Sequence, residues 1–197
     1  MVERAPTVAE ISAALSRIRD SLGAEPAEPT AAAVAAVLRN GGDGTQVLMI
    51  HRAEQRGDPW SGQMGLPGGR AEPDDADPSA TAIRETREEL ALDLEHGAEA
   101  LGRLETLRTH LRTKRGPLTV TPNVFSIEGD PELVPNHEVQ EVLWVPLAFF
   151  LDPANRSSLT WTRRGVPLPF PCYRYHGHVV WGLTLRILET LLGCVRE

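Results

Sequence analysis

The chain lacks the features that mark exported, membrane-spanning or disulfide-stabilised proteins. Its 197 residues include no apolar N-terminal segment of the signal-peptide kind and no run of about 18 apolar residues that could cross a bilayer. Only two cysteines occur, Cys172 and Cys194, and the sequence does not establish a disulfide between them. We therefore expect no membrane partner, and a cytoplasmic location is the default.

Basic side chains are also fewer than acidic ones. Twenty lysines and arginines face 27 acidic residues, which gives a formal charge of −7 and a pI near 5.4. Nonspecific nucleic-acid binding needs a basic face, so this composition argues against a nucleic-acid partner. A small anionic substrate stays compatible, because a bound metal and nearby arginines can reverse the local field. The length suffices for one well-cored domain.

Motifs for covalent catalysis and for zinc are missing as well. No Ser-His-Asp or Cys-His arrangement stands out, and no H-x-x-x-H or paired-cysteine spacing supports a zinc site. Acidic motifs are prominent instead, which points away from a covalent intermediate.

The most informative stretch runs from Gly62 to Leu92 and combines a glycine-rich turn, an acidic loop and a predicted helix. Helix positions i, i+3 and i+4 share a face, so Glu85, Glu88 and Glu89 are predicted to hold three carboxylates within a few ångströms of one another. Such a cluster needs neutralisation, and Mg²⁺ or Mn²⁺ prefers oxygen ligands, including a backbone carbonyl such as that of Gly69. The alternative is a solvated helix face with Arg–Glu pairs.

This stretch resembles the Nudix box, in which a glycine and an acidic residue precede REUxEExGU, U being aliphatic. Gly69 fits the glycine and the segment from Arg84 to Leu92 fits the remainder. Three departures are visible. Asp75 stands where the loop normally has Glu, with eight rather than seven residues before the arginine; Thr86 replaces an aliphatic residue, and Ala91 replaces the closing glycine.

The resemblance implies an α/β fold, a Nudix-type α/β/α sandwich with a mixed β-sheet, and a metal-dependent hydrolase of a nucleoside diphosphate linked to another group. Mg²⁺ (or Mn²⁺) is the implied cofactor. The implied metal ligands are Glu85, Glu88, Glu89 and the carbonyl of Gly69. The implied catalytic residues are Glu89, Glu85, Glu138 and Arg84.

The motif alone does not assign the general base. A glutamate entering a later strand can contact metal or activate water in Nudix hydrolases, and Glu138 occupies such a position. Two alternatives stay open: Glu138 only hydrogen-bonds the backbone, or Glu141 takes the role.

The segment upstream of the box resembles the extended signature of the coenzyme A diphosphatase branch of the family. A strand ends at Arg52, a loop with Arg56 follows, and the chain then reads GQMGLPGG. Asp58 stands where that branch usually has a loop arginine. With Arg70, these arginines are candidates for binding substrate phosphate, or they form ordinary salt bridges.

The implied substrates are therefore coenzyme A or its thioesters, cleaved to 3′,5′-ADP and a 4′-phosphopantetheine product. The alternatives are an NDP-sugar, a dinucleoside polyphosphate or a (d)NTP. A non-catalytic, nucleotide-binding regulatory module is the alternative from another class.

The remaining elements follow from periodicity and turn signals. Residues 1–30 are predicted to form a helix (Thr7 to Leu22) and a linker, ahead of a Nudix domain at 31–197. The helix's apolar face makes a homodimer possible. Asp77 or Ser79 should cap the box helix. The further expectations are a hairpin (31–39 and 45–52), strands (100–108, 118–128, 141–145), a second hairpin (158–162 and 170–176) and a helix (179–192). A basic loop (109–117, with His110, Arg112, Lys114 and Arg115) forms a hairpin tip or meets an extra phosphate. The segment from Tyr173 to Thr184 resembles the tail of the coenzyme A diphosphatase branch, which implies that His176, His178 and Trp181 border the substrate pocket.

Overall fold

The computed structural model describes residues 4–22, 31–57, 60–113, 116–163 and 166–196. The predicted linker (24–30), Asp58, Lys114 and Arg115 lie outside them, as do the side chains of His110 and Arg112. No helix among the described residues is both long and apolar enough to cross a membrane. The helices are α1 (Val8–Leu22), α2 (Pro78–Leu90), α3 (Leu94–Gly97), α4 (Leu147–Leu151) and α5 (Gly182–Gly193). The strands are β1 (Ala31–Gly41), β2 (Gly44–Arg52), β3 (Met64–Gly65), β4 (Gly68–Arg70), β5 (Ala98–Arg103), β6 (Leu107–Thr113), β7 (Gly116–Ile127), β8 (Val139–Pro146), β9 (Arg156–Arg163), β10 (Val166–Tyr175) and β11 (His178–Trp181).

The main sheet is built around the predicted β1–β2 hairpin, which is confirmed. Gly41 pairs with Gly44, so the turn consists of Gly42 and Asp43. Within the described residues the sheet runs β3-β2-β1-β7-β5, with β8 on β2, β6 on β7 and β4 on β1. β1 and β7 are parallel whereas the other pairs are antiparallel, so the predicted mixed sheet is confirmed. β9 to β11 form a separate three-stranded sheet.

Helices cover both faces of the main sheet, because β1 is apolar on both sides. Ala33, Ala35 and Val37 pack in the cluster that contains α2. Ala36 and Leu38 point the other way, into the cluster that contains α1 and α5. Alternate residues of a strand point to opposite faces, so an alanine-rich β1 lets both helical layers approach closely. The predicted α/β/α sandwich is confirmed.

Helix α1 packs on the domain itself. Its predicted capping box forms, since the Thr7 N–H donates to the Glu10 carboxylate at 2.8 Å and the Glu10 N–H donates to Thr7 Oγ1 at 3.2 Å. Ile11 and Leu15 are fully buried in the same cluster as α5. The helix's apolar face is therefore occupied within the chain, and the homodimer stays a prediction without that support.

Two boundaries differ from the sequence prediction. The expected strand at 100–108 is two strands, β5 and β6, because the chain leaves strand conformation at residues 104–106 between them. Within β5 the register against β7 also shifts, between Ala100 and Gly102 (φ +145°). β6 then runs to Thr113 and β7 begins at Gly116, so most of the expected loop at 109–117 is strand.

The C-terminal helix begins at Gly182 instead of residue 179. His176 and Gly177 have positive φ angles of 47° and 89° and form a tight turn after β10. Val179 and Val180 then pair with β10 as strand β11. Residues that are apolar and β-branched satisfy either structure locally, and the turn decides between them.

Candidate active site

Helix α2 is fixed at both ends by local chemistry. The Asp77 carboxylate accepts the Ala80 N–H at 2.9 Å, which makes Asp77 the N-cap, and Pro78 occupies the first turn where its missing N–H costs nothing. At the other end Ala91 adopts a left-handed conformation (φ 54°) and its N–H donates to the Arg87 carbonyl. The closing glycine of the Nudix pattern corresponds to this position, where a β-carbon costs about 1–2 kcal/mol.

Glu89 is the buried acid of the site, with its side chain 2% exposed. Its carboxylate accepts the Gly68 N–H at 2.9 Å and lies 3.6 Å from Arg52 Nη1. Burial raises the Glu89 pKa to about 8, and the charges of Glu85 and Glu138 add to the rise, while Gly68 and Arg52 oppose it. A buried acid beside two others needs additional positive charge to stay ionised at neutral pH.

The Glu85 carboxylate rests on the backbone of Gly69. A β-carbon added at Gly69 would lie 2.6 Å from Glu85 Oε2, so the carboxylate occupies the space that a side chain would need. Burial raises the Glu85 pKa above its usual value, with Arg84 opposing the rise. The glycine therefore brings a backbone segment and an acidic side chain into direct contact.

Arg84 is held by a partly buried salt bridge with Asp75. Its Nε and Nη2 donate to the two Asp75 oxygens at 3.0 and 3.1 Å, and Nη2 also donates to the Arg70 carbonyl at 2.9 Å. The hydrogen bond from Arg84 lowers the Asp75 pKa to about 2. Arg84 also contacts Glu85 at 3.1 Å and thereby positions that carboxylate. Asp75 is visible in the sequence as a departure from the box, but its contact with Arg84 depends on how the loop folds and was not predicted.

The expected close cluster of all three helix carboxylates stays a prediction. Among the described residues, the sets of three or more ligand side chains within 4.8 Å of one another do not include Glu85, Glu88 and Glu89 together. Arg84 bridges two of the three, because its guanidinium contacts both Glu85 and Glu88, the latter at 3.2 Å. Glu88 is 56% exposed and lies at the rim, so its part as a metal ligand stays a prediction.

Glu138 is brought to the same site by a tethered loop. The Asn136 N–H donates to the Glu89 carbonyl, and Asn136 Oδ1 accepts the Glu138 N–H, both at 2.8 Å. The Glu138 carbonyl accepts the Ala53 N–H at 2.8 Å. Glu138 thus lies beside Glu85 and Glu89, whereas Glu141 does not line the cavity. Its role as base stays a prediction.

One cavity of about 990 Å³ unites the predicted residues. Its lining includes an apolar, largely aromatic wall formed by Trp161, Phe170, Trp181 and Leu183, of which only Trp181 was predicted at the pocket. His176 and His178, expected at the pocket, do not line it. The residues predicted for catalysis, metal binding and phosphate binding all line it: Arg52, Arg56, Gly69, Arg70, Arg84, Glu85, Glu88, Glu89 and Glu138.

Fold and site together place an acidic helix face on an arginine-lined cavity. The model of the NUDIX domain family matches residues 29–164, and the chain belongs to the Nudix family. Nudix hydrolases generally need a divalent metal ion.

Two curated relatives show the extent of the likeness. Nudix hydrolase 15, mitochondrial, of Arabidopsis thaliana is 33% identical over 169 residues, 82% of this chain and 57% of that protein. The mitochondrial coenzyme A diphosphatase NUDT8 of Homo sapiens is 34% identical over 172 residues, 84% of this chain and 70% of that protein. The chain thus spans little more than half the length of the first relative. Both relatives are named as mitochondrial proteins, so the cytoplasmic location of this chain stays a prediction.

Solved structures agree on the fold. A MutT/nudix family protein from Enterococcus faecalis superposes with a TM-score of 0.51 at 19% identity, covering 97% of this chain and 74% of that one. A NUDIX hydrolase from Alicyclobacillus acidocaldarius also gives 0.51 at 19% identity, covering 85% and 93%.

Proposed function

We propose that the chain hydrolyses the diphosphate of coenzyme A or its thioesters to 3′,5′-ADP and a 4′-phosphopantetheine product. The observation that carries the proposal is a single cavity lined both by an acidic helix with arginines and by a group of aromatic residues. A diphosphate with a nucleotide at one end and a long, partly apolar arm at the other matches both parts of that lining. Relatives named coenzyme A diphosphatase, 30–36% identical to this chain, support this choice.

The donor set fits Mg²⁺ or Mn²⁺. Glu85, Glu88, Glu89 and the Gly69 carbonyl offer the oxygen ligands that these ions prefer. Glu89 in particular is a buried carboxylate with a raised pKa, which a cation would keep ionised at neutral pH. When bound, the metal would polarise a phosphoryl oxygen and lower the pKa of a bound water.

The chain's own residues then supply the rest. Glu138 accepts the proton of the attacking water as the new P–O bond forms and the bridging P–O bond breaks. Arg84, fixed by Asp75, orients Glu85. Arg52 and Arg56 bind the phosphate oxygens, and so does Arg70, which lies on β4.

The test is a magnesium-dependent hydrolysis assay that follows products by phosphorus NMR. Coenzyme A, an acyl thioester and 3′-dephospho-coenzyme A form one series; an NDP-sugar, a dinucleoside polyphosphate and a (d)NTP form the comparison. We expect the highest kcat/KM for coenzyme A or the thioester. A higher value for a comparison substrate would overturn the assignment, and no hydrolysis of any of them would favour a non-catalytic module.

A further inference from the structure

A second group of ligand side chains lies outside the cavity lining. His51 on β2, Glu141 on β8 and His178 on β11 each offer a ligand atom within 4.8 Å of the other two. His51 and Glu141 face each other across the β2–β8 pair, while His178 comes from the separate three-stranded sheet. These residues are far apart in sequence, so no spacing motif predicts the group.

The hydrogen bonds of the group prepare it for a cation. His178 Nε2 lies 3.1 Å from Glu141 Oε2, and the rings of His51 and His178 meet edge to face with centroids 4.9 Å apart. His51 Nε2 lies 3.1 Å from the Gly62 carbonyl. Since a carbonyl only accepts, Nε2 is the donor of this contact, and Nδ1 is the ring nitrogen left to contact a metal. Histidine ligands commonly donate their second ring N–H to such a carbonyl, which fixes tautomer and orientation.

The other histidine-containing group of this kind in the described residues offers a contrast. Asp93, Glu95 and His96 are all exposed, and both carboxylates pair with Arg87. Asp93 also accepts the Glu95 N–H and contacts His96. The carboxylate oxygens of this group already form ion pairs. A site with one imidazole also binds a borderline-soft metal less strongly than a site with two.

We propose that His51, Glu141 and His178 form a zinc site, separate from the acidic helix face of the catalytic cavity. Two imidazoles and one carboxylate, with water as a fourth ligand, select Zn²⁺ over Mg²⁺. Tetrahedral zinc needs ligand atoms roughly 3.4 Å apart. The present ligand atoms lie within 4.8 Å of one another, and His178 Nε2 lies 3.1 Å from Glu141 Oε2.

The site would join the two sheets beside the substrate cavity. His178 begins β11, whose last residue Trp181 lines the cavity, and His51 precedes the cavity residue Arg52. A bound ion therefore holds the aromatic wall against the strand that carries the arginine. We expect zinc to raise the thermal stability of the protein in the presence of excess Mg²⁺.

The experiment measures zinc binding by the untagged, metal-stripped chain against a chromophoric chelator, with the cobalt absorption spectrum as a second readout. All proteins carry Glu85→Gln and Glu89→Gln, which removes the catalytic cavity's acids from the competition. We expect one zinc equivalent, tetrahedral cobalt bands, and at least a roughly 100-fold weaker affinity in His178→Asn. The matched control, His96→Asn, changes a histidine of the contrasting group and should bind as the parent does.

Equal zinc binding by His178→Asn and His96→Asn, or no zinc equivalent in the parent, would overturn the proposal and leave an ion pair alone. Glu141 is 51% exposed, so Glu141→Gln serves as a second variant if His178→Asn does not fold. Because catalysis is absent from every protein in this test, failure of the zinc site and failure of the proposed hydrolysis are distinguishable.

Discussion

Replacing Gly69 with alanine should disable the site without unfolding the protein. The new methyl group would lie 2.6 Å from Glu85 Oε2, whereas non-bonded heavy atoms pack at about 3.5 Å or more. The carboxylate must therefore move by roughly 1 Å. A displacement of that size at a reacting centre can cost about 100-fold, or about 2.7 kcal/mol in the barrier. We expect kcat for magnesium-dependent diphosphate hydrolysis to fall by about that factor.

The stability of Gly69→Ala separates this explanation from simple damage. The obstructing atoms are the end of a flexible side chain, so the free energy of unfolding in urea should change by less than about 1 kcal/mol. Gly42→Ala is the control, since its methyl meets nothing within 4 Å. Gly68→Ala should instead lose about 3 kcal/mol or more, because its φ is +147° and its methyl would lie 2.6 Å from the Val34 Cα. A Gly69→Ala enzyme within about threefold of wild type would refute the reasoning.

Three further predictions concern α2 and its loop. Ala91→Gly should raise the free energy of unfolding in urea by about 1 kcal/mol, because the position is left-handed; a loss of stability would contradict this. In chelator, the folded chain keeps the Glu89 proton that the unfolded chain releases between pH 4.5 and about 8. The wild type should therefore lose stability, by on the order of a few kcal/mol, as pH rises through that window, and Glu89→Gln should not; parallel pH profiles would count against the raised pKa. Asp75→Asn should release Arg84 and lower kcat about 10- to 100-fold with a small change in KM, and full activity would remove its positioning role.

Local patterns were sufficient for the helix and its surroundings. Asp77 and Pro78 fix the start of α2 through interactions within one turn, so the sequence predicts them directly. The hairpin turn at Gly42 and Asp43 is equally local. The box motif then assigned the right residues to one cavity, because helix spacing sets which side chains share a face.

What depends on contacts between distant segments was not predictable in the same way. Glu88 is 56% exposed, and Arg84, which Asp75 holds from the preceding loop, contacts both Glu88 and Glu85. The aromatic wall forms only when the three-stranded sheet, which carries Trp161, Phe170 and Trp181, packs beside the cavity. The sequence around Trp161 does not predict that packing. The start of α5 depended on a turn at His176, where positive φ cannot be inferred from the residue type.

The most direct test of the central claim is anomalous diffraction from crystals soaked in Mn²⁺. We predict a peak contacted by Glu85, Glu89 and the Gly69 carbonyl, and its loss in Glu89→Gln crystals of unchanged fold. A peak away from these oxygens, in crystals of protein that hydrolyses its substrate with Mn²⁺, would contradict the account.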